Sequence, residues 1–343
     1  MNEVIPSQLY LRDTAFQNLM QKRIYNVLLI ASPYDAFMME EDGRVEEQLY
    51  FEYTSLSLSS PPRVTQANSY PEAYNTLESK QFDLIIAMPG GDIGETFREA
   101  KNIKAIYPDI PFVVLTPFSR EVSRHLANED FSGVDYVFSW LGDVDLLLAI
   151  IKLIEDKMNS DNDILEVGVQ TILVVEDSIR FYSSVLPHLY KYLLKQSLIF
   201  STEALNEHEQ MLRMRGRPKV MLARTYEEAQ QLYEKYDNKI LGIISDISFS
   251  HNGEKEKLAG IELAKEIKAK DPYVPIILES SEESNAAFAK EVGATFLYKN
   301  SKTFPSDLGN AIANNFGFGA FIIRNPETGE EVMRINNLKE FQN

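Results

Sequence analysis

Five side chains in the C-terminal half of the chain could do chemistry together. Glu176 and Asp177 sit side by side at the end of the apolar run TILVVEDS (171–178), and Asp246 closes LGIISD. Ser280 closes PIILES and Lys299 closes TFLYK. Adjacent carboxylates repel one another and lose solvation when buried, so something must compensate them, most simply a divalent cation. A strand leading into an acidic helix cap is the plainer alternative for Glu176 and Asp177. Asp246 as a loop cap, Ser280 as a strand-end serine and Lys299 as a surface lysine are the corresponding alternatives for the others. Taken as one set, the residues suggest phosphoryl chemistry. Three carboxylates and a backbone carbonyl offer hard oxygen ligands to a Mg²⁺ ion that keeps several waters. Asp246 could then act as a nucleophile and form an aspartyl phosphate. The metal and the Lys299 ammonium would neutralise charge on the transferring group, and the Ser280 hydroxyl would hydrogen-bond one of its oxygens.

Such a set works only if strand ends converge, as they do in an open parallel sheet with its site at the carboxyl ends of the strands. Val169 to about Phe316 carries that pattern, with apolar runs alternating with helical stretches. An earlier segment repeats it. RVTQANSYPEAYNTLESKQFDLII from Arg63 matches KVMLARTYEEAQQLYEKYDNKILGII from Lys219, with Val64/Val220, Ala67/Ala223, Tyr70/Tyr226, Glu72/Glu228 and Ala73/Ala229 identical. PFVVLT answers PIILES, and VDYVFS answers ATFLYK. The fold expected is therefore α/β, two tandem doubly wound five-stranded parallel sheets. Residues 1–23 read as a leader with a short helix, 24–158 as the first unit and 159–168 (NSDNDILEVG) as a polar linker. Residues 169–316 read as the second unit, and 317–343 as a hairpin turning at Asn325–Gly329 with the start of another helix. The first helical region of the second unit, roughly Ile179–Met214, is longer than the sheet needs. Its excess face must be covered by the first unit or by a second copy of the chain, and the second copy, hence a homodimer, is the reading favoured here.

With 343 residues and 44% apolar content, the chain can build two sizeable cores. A net charge of −17 argues against nucleic acid as a direct partner. The short basic run RMRGRPK (213–219) reads as a solvated helix end. There are no cysteines, so disulfides and thiolate metal sites are excluded. No signal peptide or membrane-length apolar run is evident, and the expectation is a soluble, cytoplasmic protein. His125, His188, His208 and His251 are scattered without metal-ligand spacing, and PGGDIG (89–94) lacks the pattern of a phosphate loop.

The second unit resembles the receiver domains of bacterial two-component response regulators. The resemblance is carried by VVEDS (174–178), IISD (243–246), GIELAKEIK (260–268), PIILES (275–280) and Lys299, taken as an ordered set. It implies Asp246 as phosphoacceptor and Glu176, Asp177, Asp246 and the carbonyl of Ser248 as Mg²⁺ ligands. Ser280 and Phe296 match the hydroxyl and aromatic switch positions. Two departures stand out: Lys299 is followed by Asn300, where that family usually has proline, and the loop ISFSHNGEKEKLAG after Asp246 is long. The first unit resembles a receiver without its chemistry, since Ala31, Ser32, Met88 and Ser139 occupy the positions of Glu176, Asp177, Asp246 and Lys299, and only Thr116 keeps a hydroxyl.

The resemblance implies a response regulator that is phosphorylated by a histidine kinase or phosphotransfer protein and signals by conformational change, without being an enzyme itself. A phosphorylation-independent scaffold is the alternative from another class. A third reading follows from the C-terminal segment, which is similar to the segment joining such receivers to phosphoenolpyruvate synthase-like modules and would make this chain the regulatory front of a larger enzyme.

Overall fold

The computed structural model describes residues 18–40, 44–90, 92–117, 130–201, 214–317, 321–324 and 331–335. The leader helix near Asp13 and Thr14, His125, His208, Arg213 of the basic run and the Asn325–Gly329 turn lie outside the described residues. The chain divides into two compact units, one formed by Gln21–Met158 with Ser178–Tyr190, the other by Asn159–Asp177 and Lys191–Asn343 with the residues up to Met20.

The first unit is a five-stranded parallel sheet of β1 (Asn26–Ile30), β2 (Arg63–Ala67), β3 (Leu84–Ala87), β4 (Phe112–Pro117) and β5 (Tyr136–Trp140) in the order β2-β1-β3-β4-β5. This is the doubly wound order 2-1-3-4-5 of flavodoxin-like folds. The runs LLI in β1, LIIA in β3 and FVVLT in β4 are buried throughout, as strands covered on both faces must be. Its helices are α1 (Pro33–Met39), α2 (Val45–Ser55), α3 (Tyr70–Ser79), α4 (Ile93–Ile106) and α5 (Asp145–Ser160).

The second unit repeats the order with β6 (Thr171–Val175), β7 (Lys219–Ala223), β8 (Ile240–Asp246), β11 (Ile276–Ser280) and β12 (Thr295–Tyr298), arranged β7-β6-β8-β11-β12. A two-stranded hairpin, β9 (Phe249–His251) with β10 (Glu254–Glu256), lies outside that sheet, and β13 (Phe321–Arg324) pairs antiparallel with β14 (Glu331–Ile335). Its helices are α7 (Tyr226–Tyr236), α8 (Ala259–Lys270), α9 (Ala286–Glu291) and α10 (Phe304–Asn315), and α6 (Ile179–Ser201) contributes its second half.

The repeated sequence has a local cause. Ser69 begins α3 by accepting the Glu72 N–H, and the Glu72 carboxylate reaches back to the N–H of Asn68 at 2.8 Å. Thr225 and Glu228 do the same for α7, with Glu228 accepting the Arg224 N–H at 2.7 Å. Each pair satisfies orphan donors reciprocally at the helix start, in the manner of a capping box. Ala73 and Ala229, one residue on, are both fully buried against their sheets.

One expectation needs correction. The presumed polar linker is helical: α5 runs through Ser160 and continues as a π-helical segment, Asp161–Glu166. Asp163 in that segment is fully buried, paired with Lys219 at 2.9 Å, and accepts the Met20 N–H. The first half of α6 is covered within the first unit. In the first unit, Tyr182 donates to the Val137 carbonyl and packs edge-on against Phe138. Ser183 Oγ accepts the Ser139 N–H at 2.9 Å, and Tyr190 donates to Asp156 at 2.8 Å.

Candidate functional site

Glu176, Asp177, Asp246, Ser248, Ser280 and Lys299 all lie at or just beyond a strand's carboxyl end, whereas Phe296 lies within β12. Five buried residues of β6 lead into Glu176, whose N–H bonds the Ala223 carbonyl at 3.0 Å, and Asp177 follows. Asp246 ends β8, where β6 and β8 are paired through Val175↔Ser245. The ligand oxygens of Glu176, Asp177 and Asp246 all lie within 4.8 Å of one another. Lys299 follows β12, and its N–H bonds the Ser280 carbonyl at 2.9 Å, which ties the two strand ends together.

Lys299 is the countercharge of this cluster. Its ammonium, with a side chain only 3% exposed, bonds Glu176 Oε2 and lies 3.0 Å from Asp246 Oδ1. Burial works against that charge, but the carboxylates of Glu176, Asp246 and Glu279 outweigh it and raise the lysine's pKa. Asp246 Oδ1 also accepts the Ile247 N–H at 2.9 Å. Asp177 is the more exposed acid, and burial pushes its pKa up against the opposing Lys255 ammonium at 3.3 Å. Three carboxylates this close, all hard oxygen donors, fit a Mg²⁺ ion in chemistry and spacing.

Backbone packing holds Asp246 in place. Gly260 opens α8 so tightly against the strand end that a Cβ there would meet the Asp246 carbonyl oxygen at 2.2 Å. Its N–H bonds the Ile247 carbonyl at 2.9 Å. Ser248 is half-buried in the turn between β8 and β9. Ser280 is buried at the end of β11, where its Oγ accepts the Glu282 N–H at 3.1 Å and the Asn285 side-chain amide at 2.9 Å, leaving the hydroxyl proton to donate. Phe296, in β12, is half-buried and packs against the core of the unit.

Two residues near the site escaped the sequence reading. Glu279 is buried, its Oε1 has no hydrogen-bond partner, and burial pushes its pKa up to about 8. A lone acid inside the apolar run PIILES was the available signal. Lys255 reaches Asp177 from β10, and the Asn252-Gly253 pair, a strong hairpin-turn signal, was the clue to that hairpin.

The matching positions of the first unit carry no such chemistry. Ala31 donates to the Ala67 carbonyl at 3.1 Å as Glu176 does to Ala223, and Ile30↔Ala87 answers Val175↔Ser245, which sets Met88 where Asp246 stands. Ser32 caps α1 by accepting the Asp35 N–H at 3.1 Å. Thr116 is buried and donates to the Phe138 carbonyl, and Ser139 lies in β5.

No protein-family model matches the chain, and neither does any curated protein. Among solved structures, it is similar to a response regulator receiver domain protein from Clostridium thermocellum, with 23% identity and a TM-score of 0.29 over 43% of this chain and 94% of that one. It is also similar to a two-component system response regulator/GGDEF domain protein, with 15% identity and a TM-score of 0.32 over 85% of this chain and 98% of that one. The fold assignment rests on strand order and register, which define two doubly wound flavodoxin-like units.

Proposed function

We propose that the second unit, residues 169–316, is a receiver that accepts one phosphoryl group on Asp246, and that the first, residues 24–158, is a phosphorylation-silent partner. The observation that carries this reading is the cluster of Glu176, Asp177 and Asp246 with Lys299 bonded into it. The donor is a phosphohistidine on a kinase or phosphotransfer protein. An Asp246 carboxylate oxygen attacks phosphorus, the P–N bond breaks, and its electron pair stays on the departing imidazole, which takes up a proton. Glu176, Asp177, Asp246 and the Ser248 carbonyl would hold Mg²⁺, which when bound neutralises charge on the phosphoryl oxygens.

Lys299 would exchange its carboxylate contacts for a phosphoryl oxygen, and the Ser280 hydroxyl would donate to another. Ser280 turning toward the site, with Phe296 repacking in β12, would convert occupancy into a change of surface, a shift between two populations. The chain is in this reading a non-enzymatic signalling module. Among the described residues, no helix is long and apolar enough to cross a membrane.

Intact-mass measurement with a small-molecule phosphodonor, with and without Mg²⁺, tests the proposal. A Mg²⁺-dependent gain of one phosphoryl group that is absent in Asp246→Asn is expected. No gain in wild type, together with no Mg²⁺ binding, would leave a phosphorylation-independent scaffold. The paired strands β13 and β14 after the second unit keep a regulatory role at the front of a longer enzyme in view, which reading the gene beyond Asn343 decides.

A further inference from the structure

Outside the acidic crevice, one other place among the described residues gathers three groups able to ligate a metal. His251 ends β9, Glu256 ends β10 and Glu262 lies in the first turn of α8, with their ligand atoms all within 4.8 Å of one another. The hairpin and the His251 ring are held in place. Asn252 and Gly253 turn the hairpin with φ of 52° and 80°, the left-handed values that a two-residue Asn-Gly turn requires. The Asn252 N–H bonds Glu227 at 2.7 Å, pinning the turn to α7. The His251 ring stacks on Tyr226 with centroids 4.2 Å apart, which fixes its plane, and Nδ1 faces Glu256 Oε2 at 2.5 Å.

Charge points the same way. Among the described residues, no lysine or arginine forms an ion pair with Glu256 or Glu262, and Lys255, the residue before Glu256, is drawn to Asp177. Two carboxylates therefore converge with only an imidazole between them.

We infer that His251, Glu256 and Glu262 form a site for a divalent transition-metal ion of the zinc class. One imidazole nitrogen and two carboxylates suit Zn²⁺ and its neighbours in the first row, whereas Mg²⁺ favours the all-oxygen crevice. Three protein ligands leave a position for water. The ion would staple the hairpin to α8, and because Lys255 immediately precedes Glu256, it would also hold that lysine at Asp177. The inference stands on this geometry alone and is independent of phosphorylation at Asp246.

The test uses the full chain carrying Asp177→Asn and Asp246→Asn, so that the crevice cannot supply the binding. Zn²⁺ is titrated calorimetrically, and Co²⁺ is followed by its ligand-field absorption, with circular dichroism confirming that each variant folds. One equivalent of Zn²⁺ is expected to bind, at least about tenfold more weakly once His251→Ala or Glu256→Gln is added, since even outer-shell losses cost that much. Absence of Zn²⁺ binding, or equal binding with and without those two substitutions, would overturn the inference and leave His251–Glu256 a simple ion pair.

Discussion

Lys299 shows how one side chain sets the character of the site. Its ammonium is buried between Glu176 and Asp246, and removing one partner of a buried ion pair leaves the other charges uncompensated. Lys299→Ala is expected to lose about 3–5 kcal/mol of stability in the presence of a chelator. Added Mg²⁺ should raise its melting temperature by more than it raises that of wild type, because the cation then supplies the missing charge. Equal Mg²⁺ shifts in thermal melts of the two proteins would contradict this. Glu176, Asp177, Asp246 and Lys299 were legible in the sequence because each follows an apolar strand run, and the fold brings such ends together. Glu279 was not, because an apolar run reads as strand whether or not one buried position is an acid. Lys255 was missed because its reach to Asp177 depends on a hairpin projecting from the loop after Asp246.

Whole elements are held by contacts that can be tested singly. Asp135, just before β5, accepts the Phe112 N–H at 2.9 Å and pairs with Lys104 at 2.9 Å and Lys157 at 3.4 Å. Burial opposes its charge, but these partners overcome it and hold its pKa below the ordinary carboxylate range. A depressed folded-state pKa contributes stability above the unfolded value, about 3.9, and that stability is lost as pH falls through the folded value. Asp135→Asn should therefore be less stable than wild type near neutrality, with the gap closing below about pH 4. Urea unfolding across that range measures it. Helix α8 offers a steric test at Gly260, where a Cβ would strike backbone, and Gly260→Ala should cost about 3 kcal/mol or more. A change within 0.5 kcal/mol in urea unfolding, as at an ordinary surface position, would mean that the close approach is not needed. The strands of both parallel sheets and most helices could be read from alternation of apolar runs and caps, whereas their order in each sheet came from the structure. The π-helical continuation of α5 could not, because NSDNDILEVG is polar in composition and its anchors, the buried pairing of Asp163 with Lys219 and the buried Ile164, are tertiary contacts.

At the scale of the molecule, two copies of one fold carry unequal chemistry. The proposed stoichiometry is one phosphoryl group per chain, and Met88→Asp alone should not raise it, because Ala31 and Ser32 bring no carboxylates to that site. Intact mass under phosphodonor reads the count directly, and a second group in Met88→Asp would show that a lone aspartate suffices. Duplication was plain in the sequence, whereas the assignment of Ser178–Tyr190 to the first unit was not. It depends on Tyr182, Ser183 and Tyr190 finding partners on elements more than thirty residues upstream. That feature bears on how the protein is made. Domains tend to fold as they leave the ribosome, the N-terminal one first. Here the first unit lacks part of its covering until residue 190 has emerged, by which time strand β6 of the second unit has already left the exit tunnel. The nascent chain must keep an unfinished sheet from associating wrongly while it waits, and synthesis paused between residues 158 and 178 would prolong that exposure.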